Sequence, residues 1–405
     1  MENYIAELMT LAQTCDCGNH HHRIPIEKIS IGNSVYKELA AFASYKEFKH
    51  AVIIADENTY QAAGKSLSDS LEETGIRVSL SIITPDENND VVADEISLVQ
   101  ALVEIPVETD VIIAVGAGTL HDIARFCSSK MKVPFISVPT APSVDGFTSM
   151  GAPLIVRGVK TTFQMSAPIA LFADLSILKA SPRKMVAAGF GDMLAKYTSL
   201  SDWKFGHLVK GEPYCPLVAV ITREALESCV ENVEKIAASD EEGIQILIEA
   251  LIKSGLAMLV FGQSHPASGG EHHLSHYWEM DFLKRKRPAV LHGAKVGVST
   301  VLLAEVYKSQ FLPLLSEPAR LQSIQIENLQ ENIKEIMKVY REIPAPEHLK
   351  NLLMQTGGET MPEQLGIDEQ LVAASLSSAH NLRNRYTALK FMNVAQKESR
   401  PIIQP

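Results

Sequence analysis

Asp110-Val-Ile-Ile-Ala-Val115-Gly116-Ala-Gly118-Thr119-Leu120-His121-Asp122 decides the fold class. A short unbroken apolar run is how a buried parallel strand reads. The glycines after it let the backbone approach a pyrophosphate closely, and the free N–H groups of a helix start favour its charge. Position 121 is His, so the full G-x-G-x-x-G fingerprint is absent. The strand–glycine–helix context still favours a phosphate site over a simple tight turn. The stretch carries no Gly-Lys-Ser/Thr, which excludes a nucleoside-triphosphate loop there.

The flanking sequence repeats the pattern. His50-Ala-Val-Ile-Ile-Ala-Asp56 is a second apolar run, ending in an acid. Asp56 at a strand end suits a hydrogen bond to a ribose hydroxyl, and equally a helix N-cap. Residues 58–74 predict a helix closed by Gly75, Val78–Thr84 a strand, 91–105 a helix, and Pro134–Pro139 a strand. Leu171–Leu178 reads as a last strand, and 147–170 as irregular. Strand and helix alternate, which predicts a mostly parallel sheet with helices on both faces. Pro139-Thr140-Ala-Pro142-Ser143-Val-Asp145-Gly146 follows a strand with two stiffening prolines and a hydroxyl-and-acid cluster. A loop so constrained is more often a binding loop than a connector.

Beyond about residue 180 the apolar spacing turns helical. Helices are expected over 183–204, 217–240, 243–264, 268–285, 289–309, 322–341 and 368–397. The domains expected are therefore 1–180, Rossmann-like α/β, and 181–405, all-α. Gly189-Phe-Gly191-Asp192 enters the first helical stretch. Pro266-Ala-Ser-Gly-Gly-Glu271-His272-His-Leu-Ser-His276 and Leu291-His292-Gly293 concentrate the histidines. His272 and His276 lie four apart, so a helix puts them on one face. Two neutral imidazoles are half of a divalent-metal site, and an open site needs a further ligand. The chain has 13 His, so chance pairs are common and the spacing alone is weak.

The 405 residues exceed one ordinary core, consistent with two domains. A net charge of -11 argues against nucleic acid and against an anionic membrane surface. A small anionic substrate stays open, because local basic residues override the global sign. Lys284-Arg-Lys-Arg287 reads as the solvated end of a helix. Five scattered Cys fit a reducing cytosol better than a disulfide framework. The acidic N-terminus lacks the pattern of a signal peptide, and no apolar run reaches the ~18 to 20 residues that span a bilayer. A cytoplasmic protein is expected. Cys15-Asp-Cys17-Gly-Asn-His20-His21-His22 is metal-binding by composition. Its spacing is not that of a standard zinc module, and a loop with incidental soft residues is the simpler reading.

Together, G-x-G-x-x-x-D, T-A-P-S-x-D-G, G-F-G-D, G-G-E-H-H-L-S-H and L-H-G, in that order, resemble the iron-containing alcohol dehydrogenase and dehydroquinate synthase-like superfamily. The P-A-S-G-G-E-H stretch looks most like its glycerol-1-phosphate dehydrogenases, bacterial members in particular. The resemblance implies metal ligands Asp192, His272 and His292. It implies catalytic roles for Asp192 and His276, and substrate contacts from Asp145, Asp192 and His276. Gly116, Gly118, Thr119, Leu120, His121 and Asp122 would hold the cofactor pyrophosphate. Thr140 and Ser143 would line the nicotinamide side, Ser149 would reach the cofactor, and Asp56 the adenosine ribose. The activity implied interconverts sn-glycerol-1-phosphate and dihydroxyacetone phosphate, a step of phospholipid biosynthesis, with NAD(H), possibly NADP(H), and one Ni2+ or Zn2+ ion. An acid at position 56 would repel a 2′-phosphate, so NAD(H) is expected to be preferred. Lys160, Lys196 and Arg287 are candidates for the substrate phosphate by motif proximity only. Glycerol dehydrogenase, a dehydroquinate synthase-like cyclase and a non-catalytic nucleotide- or metal-sensing protein remain as alternatives. The resemblance also suggests a homodimer or larger assembly.

Overall fold

The computed structural model describes residues 1–317, 326 and 328–398. The chain opens with helix α1 (Glu2–Thr14) and then alternates. Strand β1 (Lys28–Gly32) leads to α2 (Val35–Tyr45) and β2 (His50–Ala55). The short α3 (Glu57–Thr59) runs through a π turn into α4 (Lys65–Glu72), followed by β3 (Arg77–Ile82) and α5 (Glu95–Glu104). Then come β4 (Val111–Gly116), α6 (Gly118–Met131) and β5 (Phe135–Pro139). A hairpin of β6 (Gly151–Val156) and β7 (Val159–Gln164) precedes β8 (Ala170–Asp174) and α7 (Leu175–Ala180).

Six strands form one parallel sheet in the order β1-β8-β5-β4-β2-β3. Every residue of β2 and β4 is buried, which is why both read as unbroken apolar runs. Ala51, Ile53, Val111 and Ile113 point to the core on one face of the sheet; Val52, Ile54, Ile112 and Ala114 point to the other. Chain order reverses at β2, since β3 lies on one side of it and β4 on the other. Ligand crevices of open α/β sheets form at such a switch, beyond the C-terminal strand ends. The glycines 116 and 118 stand at that place.

Two expectations for this half need correction, and one strand is added. The stretch 147–170 is not irregular: Gly151–Val156 and Val159–Gln164 pair antiparallel. Arg157 (φ 53°) and Gly158 (φ 73°) make a two-residue turn with both φ positive, the geometry that matches strand twist. Pro153 inside the run disguised the strand. The strand expected over Leu171–Leu178 ends at Asp174, whose Oδ1 accepts the Ser176 N–H at 3.0 Å and caps α7. Strand β1, at the sheet edge, was not anticipated; only Ile29 in it is buried.

The second half is helical: α8 (Arg183–Leu194), α9 (Lys196–Lys210), α10 (Pro216–Glu231), α11 (Val233–Ala238), α12 (Glu241–Phe261), α13 (Gly270–Lys284) and α14 (His292–Val306). A π turn links α14 to α15 (Leu312–Leu315). Then follow α16 (Leu329–Arg341), α17 (Pro346–Gln355), α18 (Glu369–Ser378) and α19 (Ala388–Glu398). The expected helices 183–204 and 217–240 are each two helices, broken at Ala195 and Asn232. The helix expected over 368–397 is interrupted between α18 and α19 by the segment holding Arg383 and Arg385. Residues 322–325 and 327 of the 322–341 expectation lie outside the described residues. By length and composition α12 is apolar enough to cross a membrane, but 72% of that window is buried by the surrounding helices. Leu8, Ala12, Ile24 and Ile26, from before β1, sit in the same core as α12.

Candidate active site

A cavity of about 380 Å³ opens between the two halves. Its sheet-side wall holds Gly118, Thr119 and Asp122 of α6 and Ser143, Asp145 and Ser149 of the following loop. Its helical wall holds His272 and His276 of α13 and His292 of α14.

The helical wall is built by close backbone approach. A Cβ at Gly293 would run into the Ala188 carbonyl, and one at Gly191 into the Gly293 carbonyl. Helices α8 and α14 therefore meet backbone to backbone beside Asp192 and His292. The start of α13 is fixed by Asp202, whose Oδ2 accepts the Gly270 N–H at 2.8 Å. Ligand atoms of Asp192, His272 and His292 all lie within 4.8 Å of one another. His272 Nε2 stands 4.0 Å from Asp192 Oδ1, and its Nδ1 is 2.8 Å from Glu271 Oε1. A proton on Nδ1 donated to Glu271 leaves the Nε2 lone pair free, the carboxylate–histidine arrangement that orients metal ligands. Burial would raise the Glu271 pKa. Its bonds with His272, the Gly269 N–H and the Thr198 hydroxyl outweigh that and bring it down to about 2, so it stays ionised. One carboxylate and two imidazoles around a common point suit a divalent ion with open positions.

His276 lies one turn further along α13, its ring 5.9 Å from that of His292. Arg383 donates to its Nε2 at 2.9 Å. Burial, then Arg383, holds His276 well below the ordinary imidazole pKa, so it is neutral. The Asp145 N–H donates to Asp192 Oδ2 at 3.0 Å. Its carboxylate accepts from Ser254 and from Lys196, each at 2.8 Å, and Lys196 also reaches Asp192 at 3.0 Å. Burial and Asp192 raise the Asp145 pKa. Burial alone would lower that of Lys196, but the two carboxylates win and hold it protonated.

On the sheet side, a Cβ at Gly118 would press Val144 at 3.1 Å, so glycine admits the 142–146 loop. Asp122 pairs with the buried Arg125 at 2.8 Å, and Arg125 ties α6 to the carbonyls of Gly146 and Gly151. Burial raises Asp122 to about 7, against the pull of Arg125 and Lys160. Not every expected residue faces the cavity. Leu120 packs under Gly116. His121 is enclosed, bonded to the Ala117 carbonyl at 2.9 Å and to Ser137 at 2.7 Å, and burial drives its pKa down to about 3. Thr140 is buried, its N–H on the Gly116 carbonyl at 3.1 Å. Asp56 caps α3 through the Thr59 N–H at 2.8 Å.

Of the phosphate candidates, Lys160 lines the cavity, paired with Glu279 at 2.7 Å. Lys196 is spent between two carboxylates. Arg287 is a correction: it stacks on Phe282 and donates to the Gly366 carbonyl, away from the cavity. Arg383, which lines the cavity, was missed. Two arginines in a break of helical periodicity, Arg383 and Arg385, were its only sequence signal.

The profile of the iron-containing alcohol dehydrogenase family matches residues 30–182. The glycerol-1-phosphate dehydrogenase, NAD(P)+, of Geobacillus stearothermophilus is 52% identical over 97% of this chain and 98% of that protein. Its namesake from Pyrococcus furiosus is 30% identical over 91% and 94%. Among solved structures, glycerol dehydrogenase from Schizosaccharomyces pombe superposes with a TM-score of 0.64 at 18% identity, covering 92% of this chain and 90% of that one, a likeness of fold. The chain belongs to the iron-containing alcohol dehydrogenase family, in the branch of the glycerol-1-phosphate dehydrogenases.

Proposed function

We propose that this chain is a metal-dependent oxidoreductase interconverting sn-glycerol-1-phosphate and dihydroxyacetone phosphate with NAD(P)(H). One observation carries the reading. His272 and His292 line one cavity with a cationic Arg383, opposite the glycine-led start of α6, and the fully buried Asp192 completes their donor set within 4.8 Å. The donor set fits one divalent ion, zinc or nickel, which when bound would lower the pKa of the substrate's secondary hydroxyl. Asp192, His272 and His292 would hold that ion, with Glu271 keeping His272 in register. A bound water would relay the proton released on oxidation, or His276 would once the phosphate draws Arg383 from its Nε2. Asp145, positioned by Lys196 and Ser254, would orient the substrate hydroxyls. Arg383, with Thr162, Ser268 and Lys160 near it, would meet the phosphate.

Gly118, Thr119, Ser143 and Ser149 would receive the dinucleotide along the sheet-side wall, and Asp56 would face the ribose. NAD(H) is the preferred cofactor on this reading, because the Asp56 carboxylate disfavours a 2′-phosphate; equal efficiency with NADP(H) would remove that assignment. A homodimer or larger assembly in the cytoplasm completes the proposal, and light scattering on the purified enzyme tests the first part. The test of the activity is NADH oxidation after chelation and readdition of zinc or nickel, with dihydroxyacetone phosphate beside dihydroxyacetone. Metal-dependent turnover of the phosphorylated ketone alone, giving the 1-phosphate on chiral analysis, is expected. Equal turnover of dihydroxyacetone would move the assignment to glycerol dehydrogenase.

A further inference from the structure

We propose that Cys15, Cys17, His21 and Cys215 form a second metal site, a closed structural zinc knuckle that ties the N-terminal arm to the start of α10. The sequence tract supplies only three of these ligands. The fold brings the fourth from 200 positions away. Cys15 Sγ and Cys215 Sγ are 3.7 Å apart, Cys17 Sγ and His21 Nε2 3.6 Å, and His21 Nε2 and Cys215 Sγ 3.2 Å. All four donor atoms lie within 4.8 Å of one another. A tetrahedral zinc with Zn–S of ~2.3 Å and Zn–N of ~2.0 Å sets its ligand atoms about 3.5–3.8 Å apart. The distances here are those of an ion's shell, not of a disulfide, and all five cysteines are free.

The local backbone explains how an unusual spacing works. Cys15 leaves α1 in an extended conformation (φ -74°, ψ 125°). Gly18, at φ 76°, then reverses the chain so that His21 returns to Cys17. Asn19 locks the turn, donating to Cys17 Sγ at 3.3 Å and to the Tyr214 carbonyl at 2.8 Å. Donation to a ligating sulfur is the outer-shell support that metal thiolates receive. Cys215 stands at the N-cap of α10, followed by Pro216, which fixes the helix start. Three thiolates and an imidazole are a soft set that selects zinc, and with every position filled by protein the ion is structural.

The knuckle also bears on the cavity. The next residue, His22, donates its N–H to the Val260 carbonyl at 2.8 Å, and its imidazole lies against Gly262. Gly262 and Gln263 line the active cavity on the way to His272. The site would thus hold the α12–α13 connection from behind.

The test is metal analysis of the full-length enzyme purified with zinc, with X-ray absorption at the zinc edge. Two metal equivalents per chain and a sulfur shell at ~2.3 Å are expected; the Asp192/His272/His292 set has no sulfur to give. Cys17→Ser should lose one equivalent and keep the other, while Cys127→Ser, at a buried cysteine elsewhere, should lose none. The wild-type spectrum decides alone if Cys17→Ser does not fold. A sulfur-free shell in the zinc-loaded protein would overturn the proposal, as would a Cys15–Cys215 disulfide in the non-reduced native enzyme. Neither readout depends on turnover, so this site can fail while the dehydrogenase reading stands.

Discussion

Arg383 brings a guanidinium into the cavity and meets only neutral partners: His276 at 2.9 Å, Ser268 at 3.3 Å and Thr162 at 3.4 Å. Among the described residues it forms no ion pair. Burial, then Arg385, lowers its pKa to about 10, so it remains charged at neutral pH. A partly buried cation with no ion-pair partner, helped only by the more distant Glu271 charge, is costly, and an arriving phosphate relieves that cost. A hydrogen bond to a charged group contributes about 1.5–3 kcal/mol, roughly 10- to 100-fold in binding. Arg383→Gln should therefore raise KM for dihydroxyacetone phosphate by about that factor and leave dihydroxyacetone nearly untouched. Steady-state kinetics with both ketones checks it; equal losses would make Arg383 a positioning residue for His276 instead. Asp122 gives a pH dependence. Its folded pKa, raised by burial to about 7, means that its carboxyl is neutral on the acid side and ionised above. An ionised Asp122 repels the anionic pyrophosphate expected at the start of α6, so NADH should bind more weakly as pH rises through about 7. For folding the sign is the same: stability from the raised pKa is present below the ordinary carboxyl value of 3.8 and is lost as pH climbs through about 7. Fluorescence titration of NADH across neutral pH should show the drift, and Asp122→Asn should flatten it.

At the scale of elements, the metal donor set exists because two helices touch without side chains between them. Asp192 belongs to α8 and His292 to α14, and the Gly191–Gly293–Ala188 contact sets how far apart they stand. Gly293→Ala would place a methyl against the Ala188 carbonyl, which is backbone and cannot swing aside. Overpacking of this kind costs about 1–3 kcal/mol. The variant should lose stability of that order and also metal affinity, since α14 must move away from Asp192. Urea unfolding and metal titration of the same sample check it; a destabilised variant with unchanged metal affinity would mean that His292 tolerates the shift. Such contacts mark what the sequence could convey. The glycines of G-F-G-D and L-H-G were visible, but not that they face each other. β2 and β4 were legible because strands buried on both faces are unbroken apolar runs. β1 and the 151–164 hairpin were not, since an edge strand with one buried residue and a strand carrying Pro153 leave no such run. Of the site, residues in a motif of strand, glycine and helix were legible. Arg383 and Cys215 were not, because each reaches its cluster only through the tertiary fold.

For the whole molecule, the question is whether the two halves behave as one. The donor set lies wholly on helices α8, α13 and α14, and the proposed dinucleotide contacts lie on α6 and its neighbouring loop. Yet the core does not divide where the sites do. Phe147, Leu171 and Ala173 of the sheet half are buried in the same cluster as Leu251, Val260 and Trp278, and the N-terminal Leu8 and Ala12 join them. Separating the halves would expose that shared apolar surface, so neither should melt alone. A ligand that binds only the folded state adds RT ln(1 + [L]/Kd), about 2.7 kcal/mol at a hundred times Kd. NADH at that excess should therefore move a single calorimetric transition up by a few degrees, and stripping the metal should move the same transition down. Because the two ligands are proposed to contact different elements, their increments should add when both are present. Two resolved transitions, one following NADH and the other following metal, would show that the shared core is too small to couple the halves.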